Sequence, residues 1–241
     1  DVGTLSIEVI ANDGNGGTIT DTFNIVVANT NDAPTVANAI PNQNATEDAA
    51  FNFQFAGNTF SDEDVGNTLT YTAQLAGGGA LPAWLSFDAA TRTFSGTPGD
   101  ANAGTMSIDV IANDGNGGTV TDTFNIVASA VNDAPTLTAP GSASINVDAS
   151  GALSGIPFSD VDAGTGPVTV TLSVPSGSLA ATSASGVTVG GTASAMTLSG
   201  SISDINAFIA ASGVRFTTAS NATANVTLTV DINDGGNTGT G

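Results

Sequence analysis

The sequence predicts an all-β chain of tandem β-sandwiches joined end to end, and three observations carry the prediction. Apolar residues recur at period two on both sides of Gly/Asn/Asp turns, the mark of half-buried strands in hairpins. A stretch of 33 residues, 3–35, returns as 104–136 with 26 identities, at a spacing of 101 residues that suits one small domain and is far too long for a solenoid unit. Both copies close on Asn-Asp-Ala-Pro, at 31–34 and 132–135. Proline cannot donate to a ladder and holds the residue before it extended, so each copy of this motif ends one strand and starts another without a turn. The joints divide the chain into 1–34, the C-terminal part of a module, 35–135, a complete module, and 136–241, a divergent module expected to lack its last strand. The first and last modules are thus expected to be incomplete.

In the first copy Leu5, Ile7 and Val9 alternate with polar residues, the turn Asn12-Asp13-Gly14-Asn15-Gly16-Gly17 follows, and Ile19, Phe23, Ile25 and Val27 resume the alternation. Asp21 interrupts this apolar side, as at a strand end or bulge. In 35–135, Phe51, Phe53 and Phe55 stand at period two, Leu69 and Tyr71 begin another strand, and 81–88 and 91–98 supply two more. Strands this short, with no helical period, indicate a sandwich of about seven strands. Trp84, the only tryptophan, is expected as a core plug between two sheets, with a sugar-stacking platform as the lesser reading. In 136–241, strands are expected at 168–174, 187–189, 196–200 and 226–232. Between them, Ser203 to Ile209 offers an N-cap and an apolar face for a helix of one or two turns.

Charge restricts the function. Twenty-two acidic residues face two arginines, with no lysine and no histidine, for a net charge of −20. That balance excludes nucleic acid as a partner, because affinity for phosphate backbones comes from Lys and Arg. It also makes the modules repel one another unless cations intervene. The absence of cysteine removes disulfides and thiolate metals, and no apolar run approaches a membrane helix in length, so no membrane insertion is expected in this segment.

The acids cluster where cations would be useful. Asp62 and Asp64, followed by Gly66, would lie on one side of a strand only about 7 Å apart and repel, so they belong in a loop. There they can converge on an ion. Hard cations take six to eight oxygens from carboxylates, Asn side chains and carbonyls, and these are the donors the chain has in abundance. Ca2+ is the expected ion, ahead of Mg2+. Sandwich loops fall at two ends. Asp62, Asp64 and Asp114 therefore belong with Asn29, Asn31 and Asp32 at the first joint. Glu47, Asp100 and Asn102 belong toward Asn132 and Asp133 at the second, together with Asp160, Asp162 and Asp234. Upstream of the first joint only Asp1 matches one of this set, Asn102. Asp, Asn and Gly also favour turns for their own backbone reasons. It is the recurrence of Asp-x-Asp, Asn-Asp-Gly and Asn-Asp-Ala-Pro together that favours a metal.

These residues carry a family resemblance. The joints, the Asp-x-Asp-x-Gly-Asn run of Asp62 to Asn67 and the Ala112-Asn113-Asp114-Gly115 stretch resemble the calcium-linker motifs of cadherin repeats. Pro82 to Asp88 with Phe94-Ser95-Gly96-Thr97-Pro98 resembles the dystroglycan-type cadherin-like and Ig-like modules of large bacterial secreted adhesins. The resemblance implies Ig-like, cadherin-like Greek-key sandwiches with calcium at the joints. It implies an extracellular or cell-surface place and a part in adhesion, with neighbouring modules of the same chain as partners and cell-surface glycans or other copies as further ones. The joints carry fewer acids than cadherin linkers, which implies one or two ions each. The function expected is therefore a calcium-stiffened structural segment of a bacterial adhesin or surface protein. The alternatives are a polysaccharide-binding accessory module and a subunit of an extracellular filament or surface layer. Paired carboxylates could serve a glycosidase, but the joints account for the acid pairs and no enzyme is expected.

Overall fold

Two ten-residue strands, β1 (Gly3–Asn12) and β2 (Thr18–Val27), pair antiparallel over their whole length, Gly3 opposite Val27 and Asn12 opposite Thr18. The turn between them is built from side chains. The Asp13 carboxylate accepts the amides of Asn15 and Gly17 at 2.8 and 2.9 Å, Asn12 accepts that of Gly14, and Gly14 and Gly16 take the left-handed backbone that closing the loop requires. This is a computed structural model, and it describes residues 3–64 and 66–236. By contacts the chain forms two compact units, one of residues 1–43, 51–96 and 105–127, the other of 44–50, 97–104 and 128–241.

The chain continues through β3 (Thr35–Val36), β4 (Gln43–Thr46), β5 (Phe51–Gln54), β6 (Phe60–Ser61), β7 (Thr70–Leu75), β8 (Leu85–Asp88) and β9 (Thr93–Gly96). A 3-10 turn at Asp100–Asn102 then leads to β10 (Gly104–Asn113) and β11 (Thr119–Ser129). One sheet has the order β5-β9-β8, another β4-β11-β10-β7, and β3 pairs with β6. Alternation in β5, β9, β10 and β11 turns one side of each inward, and the first unit's core is aromatic. Phe124 of β11 meets Phe53 and Phe94 with ring centroids 5.8 and 5.5 Å apart, while Phe55 meets Phe60, Tyr71 and Phe87. Phe55, Phe94 and Phe124 are almost wholly buried, each contributing about 1.5–3 kcal/mol through lost contact with water. Trp84 is half-buried and stands edge-on to Phe51 at 6.2 Å.

In the second unit the strands are β12 (Thr136–Leu137), β13 (Ser150–Ala152), β14 (Phe158–Ser159), β15 (Val168–Ser173), β16 (Ser178–Ala181), β17 (Thr188–Thr192), β18 (Ala195–Gly200), β19 (Val214–Thr217) and β20 (Thr229–Asn233). They form sheets of order β13-β19-β16 and β17-β18-β15-β20, with β12 on β14. Val168, Val170 and Leu172 of β15 and Leu198 of β18 fill the core between them. The expected strand at 226–232 is shorter and later, Thr229–Asn233. The expected helix is α1 (Ile202–Ala210), which buries Ile205, Phe208 and Ile209. Its cap is Ser201 rather than Ser203: the Ser201 hydroxyl accepts the Asp204 amide at 3.1 Å and lies 2.7 Å from the Asp204 carboxylate. Ser201→Ala is expected to cost about 1 kcal/mol in chemical denaturation, the usual loss for a removed N-cap. The fold is all-β, antiparallel sheets packed face to face as sandwiches, with one short helix among the described residues.

Candidate metal centres at the two joints

Each joint has its residues within one compact unit, the first joint in the first and the second in the second. Both are linkers between strands: β2 ends at Val27 and β3 begins at Thr35, β11 ends at Ser129 and β12 begins at Thr136.

At the first joint the linker is tied to two carboxylates. Asn29 donates its side-chain amide to Asp64 Oδ1 at 2.7 Å and the Asp32 backbone amide donates to Asp64 Oδ2 at 2.8 Å. Asn31 donates to Asp114 Oδ2 at 2.9 Å. Asp62 orients the pair by accepting the Asp64 amide at 2.8 Å. Asp114 sits in the turn after β10, where it accepts the amides of Asn116 and Gly118, as Asp13 does in the first copy. The Asn31 amide, and after it these backbone donors, hold the Asp114 carboxyl below its ordinary range. Gly118 is required here, since a Cβ would come within 2.2 Å of Asp114 Oδ2 and 2.8 Å of the Ala33 Cα.

The second joint repeats this arrangement and adds to it. Asn132 donates to Asp234 Oδ2 at 2.8 Å, the Asp133 amide donates to Asp162 Oδ2 at 2.5 Å, and Asp160 Oδ1 accepts the Asp162 amide at 2.8 Å. Ala130 stands where Asn29 stands in the first copy, so that side-chain bond has no counterpart. In exchange Glu47, 2% exposed, reaches the linker and accepts the Val131 amide at 2.9 Å. Asp48, Asp100 and Asp133 each place a carboxylate oxygen within 4.8 Å of the others. Asn102 accepts the Gly99 amide and shares with Asp100 and Asp162 the lining of a cleft. Asp1 lies outside the described residues.

Asp48 is the ligand candidate that sequence reasoning missed. Period two sets it on the opposite side from Glu47, but its backbone is left-handed (φ 55°) and its amide is fixed to the Pro98 carbonyl at 2.9 Å, which turns the carboxylate toward Asp100 and Asp133. The signal was the left-handed tolerance of Asp in Thr46-Glu47-Asp48-Ala49. Asp148 repeats the conformation (φ 54°), but Val147 occupies the Glu47 position there, so this acidic pair is not repeated.

Whether these residues fit a cation turns on buried atoms with no hydrogen-bond partner among the described residues. At the second joint Glu47 Oε1, Asp160 Oδ2 and Asn132 Oδ1 are such atoms, and at the first Asp62 Oδ2 is its repeat counterpart. All four are acceptor oxygens, the donor type a hard cation takes, and buried carboxylate oxygens left bare are costly. The set fits calcium. Asp133 adds an electrostatic reason: burial, and after it the charges of Asp162, Asp48, Asp100 and Asp160, push its carboxyl above the ordinary range. A raised carboxyl stabilises the fold below its unfolded value and loses that contribution as pH rises through its folded value, so the part that Asp133 contributes to the joint is lost on going from acid upward. Asp114 and Asp234 behave oppositely, contributing above the ordinary range and losing it as pH falls through their lowered values. A cation held by Asp133 would compete with that carboxyl's proton, so any cation binding there is expected to weaken as pH falls. Calorimetric titration in buffers of different ionisation heat reads that competition.

Comparison with known proteins bears on the fold that holds these sites. Residues 33–129 match the family described as Putative Ig domain. The matched stretch contains Asp62, Asp64 and Asp114 of the first joint and Glu47, Asp48, Asp100 and Asn102 of the second. Over 123 residues, 51% of this chain, the sequence is 31% identical to a serine-rich adhesin for platelets of Staphylococcus aureus (strain USA300), and the match spans 5% of the adhesin's length. Among solved structures, the extracellular cadherin domains 1–5 of protocadherin gamma B2 are similar over 82% of this chain and 38% of that one, at 16% identity and a TM-score of 0.43. An endo-fucoidan hydrolase of glycoside hydrolase family 107 is similar over 83% of this chain and 30% of that one, at 21% identity and a TM-score of 0.37.

Proposed function

We propose that this chain is a non-enzymatic structural segment of an extracellular adhesin or surface protein, with module boundaries at the two Asn-Asp-Ala-Pro joints and calcium stiffening each joint. The carrying observation is the set of unpartnered buried oxygens on Asp62 and on Glu47, Asn132 and Asp160. Its counterpart in sequence is a chain with 22 acids and only two basic residues, far too few to neutralise the acids from within. At the first joint the ion would be held by Asp62 with Asp64 and Asp114. At the second it would be held by Glu47, Asp100, Asn132, Asp133, Asp160, Asp162 and Asp234, with Asp48 added to the set read from sequence. When bound, calcium supplies positive charge and oxygen coordination. The linker asparagines fix the carboxylates that would face it.

Likeness to a platelet adhesin supports adhesion and a surface location as the wider role. Among the described residues no helix is long and apolar enough to cross a membrane. The test is small-angle scattering in calcium and in chelator. A narrow distribution of end-to-end distances in calcium that broadens on chelation supports the reading, and superimposable profiles refute it.

A further inference from the structure

The outer face of the first hairpin has no cover among the described residues. Val9, Phe23 and Ile25 are 51, 53 and 44% exposed, whereas their counterparts 101 residues on, Val110, Phe124 and Ile126, are at 0 to 1%. We propose that this face is a docking surface for a phenylalanine-faced β-sheet of the β5-β9-β8 type, preceded by a segment like Pro34–Asn42, and that the two close into a sandwich. The inference rests on reading 35–135 as one module and deepens it, by assigning the hairpin the partner chemistry its repeat uses.

The register of that partner is readable from β10 and β11. Phe124 is covered by the rings of Phe53 and Phe94. Two polar groups on β11 make equally specific contacts: Asp122 Oδ2 accepts the Ile40 amide at 2.6 Å, and the Asn125 amide donates to Asn42 Oδ1 at 2.9 Å. The hairpin carries the same groups at the same places, Phe23, Asp21 and Asn24. Asp21 shares its side of β2 with Phe23 and Ile25 and lies opposite Val9, yet its carboxylate accepts only the neighbouring Thr22 amide among the described residues. The residue that broke the sequence alternation is therefore a keyed position, neither a strand end nor a bulge. It also decides between occupants. Packing two copies of this face together would bury two Asp21 carboxylates with no donor, a costly arrangement, whereas a segment like that around Ile40 brings a backbone N–H to each.

The test uses the full chain extended by a second copy of residues 34–103 placed directly before Gly3. The expected result is a larger denaturant slope per chain, less hydrophobic-dye binding than the unextended chain gives in the same assay, and protection of the added residues from protease. Phe23→Ala should then lower the stability of the extended chain as Phe124→Ala does in its own module, and leave the unextended chain's melting unchanged. Dye binding that persists with a protease-labile extension overturns the proposal, as does a silent Phe23→Ala in the extended chain. An unextended chain that is dimeric in light scattering and becomes monomeric on Phe23→Ala overturns it too, by making a second copy the occupant. Protease mapping separates the two readings. If 35–135 is protected as a block while the extension is not, only docking fails, and if 35–135 is cut internally, the module reading fails.

Discussion

Raising calcium to about 10 mM over chelator-treated protein is expected to increase the melting temperature of the joint-bearing modules by about 10–20 °C. Extracellular calcium modules bind with dissociation constants of about 10⁻⁴ to 10⁻³ M. At the tighter end, hundredfold excess ion stabilises the folded state by about 2.7 kcal/mol per site, and a module of about 100 residues shifts by about 4–8 °C per kcal/mol. The gain should come from the joints. Without cation, Asp133 is crowded by Asp48 and Asp100, and the oxygens of Glu47 and Asp160 are buried bare. Asp160→Asn is expected to weaken calcium binding by at least about tenfold, the loss that even groups outside the coordination shell produce in metal sites. Glu8→Gln removes the same charge from the exposed hairpin and should leave the calcium shift unchanged. Differential scanning calorimetry in calcium, magnesium and chelator reads all of this. Identical melting in calcium and chelator would sink the metal reading.

Much of this was legible in the sequence, and the parts that were not share a cause. Period two, the Gly/Asn/Asp turns and the Asn-Asp-Ala-Pro repeats are local signals, and they gave the hairpins, the joints and the loop position of Asp62 and Asp64. What local signals cannot report is which end of a side chain a distant partner engages. Asn29, Asn31 and Asn132 read as oxygen donors, but each turns its amide nitrogen to a carboxylate, on Asp64, Asp114 and Asp234 respectively. They act first as straps that set the acids. Asp48 escaped notice because one left-handed residue reverses the side that alternation assigns. Asp21 looked like a flaw because its counterpart's partner, the Ile40 amide, lies 82 residues from Asp122 in sequence. Trp84, expected as a plug between two sheets, is half-buried, its ring edge-on to Phe51 and its indole N–H buried without a partner among the described residues.

Gly96→Ala is expected to cost the middle module more than about 3 kcal/mol, among the largest effects of a single methyl. In β5-β9-β8, Gly96 is the central residue of a row, opposite Phe51 on one side and Leu85 on the other. A Cβ there would lie 1.7 Å from the Trp84 carbonyl oxygen and 3.2 Å from its ring. The colliding atom is backbone, fixed by the turn in which the Leu85 amide donates to the Pro82 carbonyl at 2.9 Å, so no rotamer change relieves it. The chain before β8 must lift, carrying Trp84 off Phe51 and opening Leu85 and Phe51, both buried, to water. Denaturant titration should show an early transition for this module with that of 136–241 unchanged, whereas Gly141→Ala, with nothing within 4 Å, should stay within about 0.5 kcal/mol of wild type. A loss below about 1 kcal/mol for Gly96→Ala would show that the crossing of Trp84 over β9 is not fixed. The consequence reaches the metal reading, since Asp100 follows Gly96 by only four residues, through Pro98, whose carbonyl holds the Asp48 amide. Calcium stoichiometry at the second joint is therefore expected to fall with Gly96→Ala although glycine offers no ligand, because Pro98, two residues on in the chain, holds the Asp48 amide.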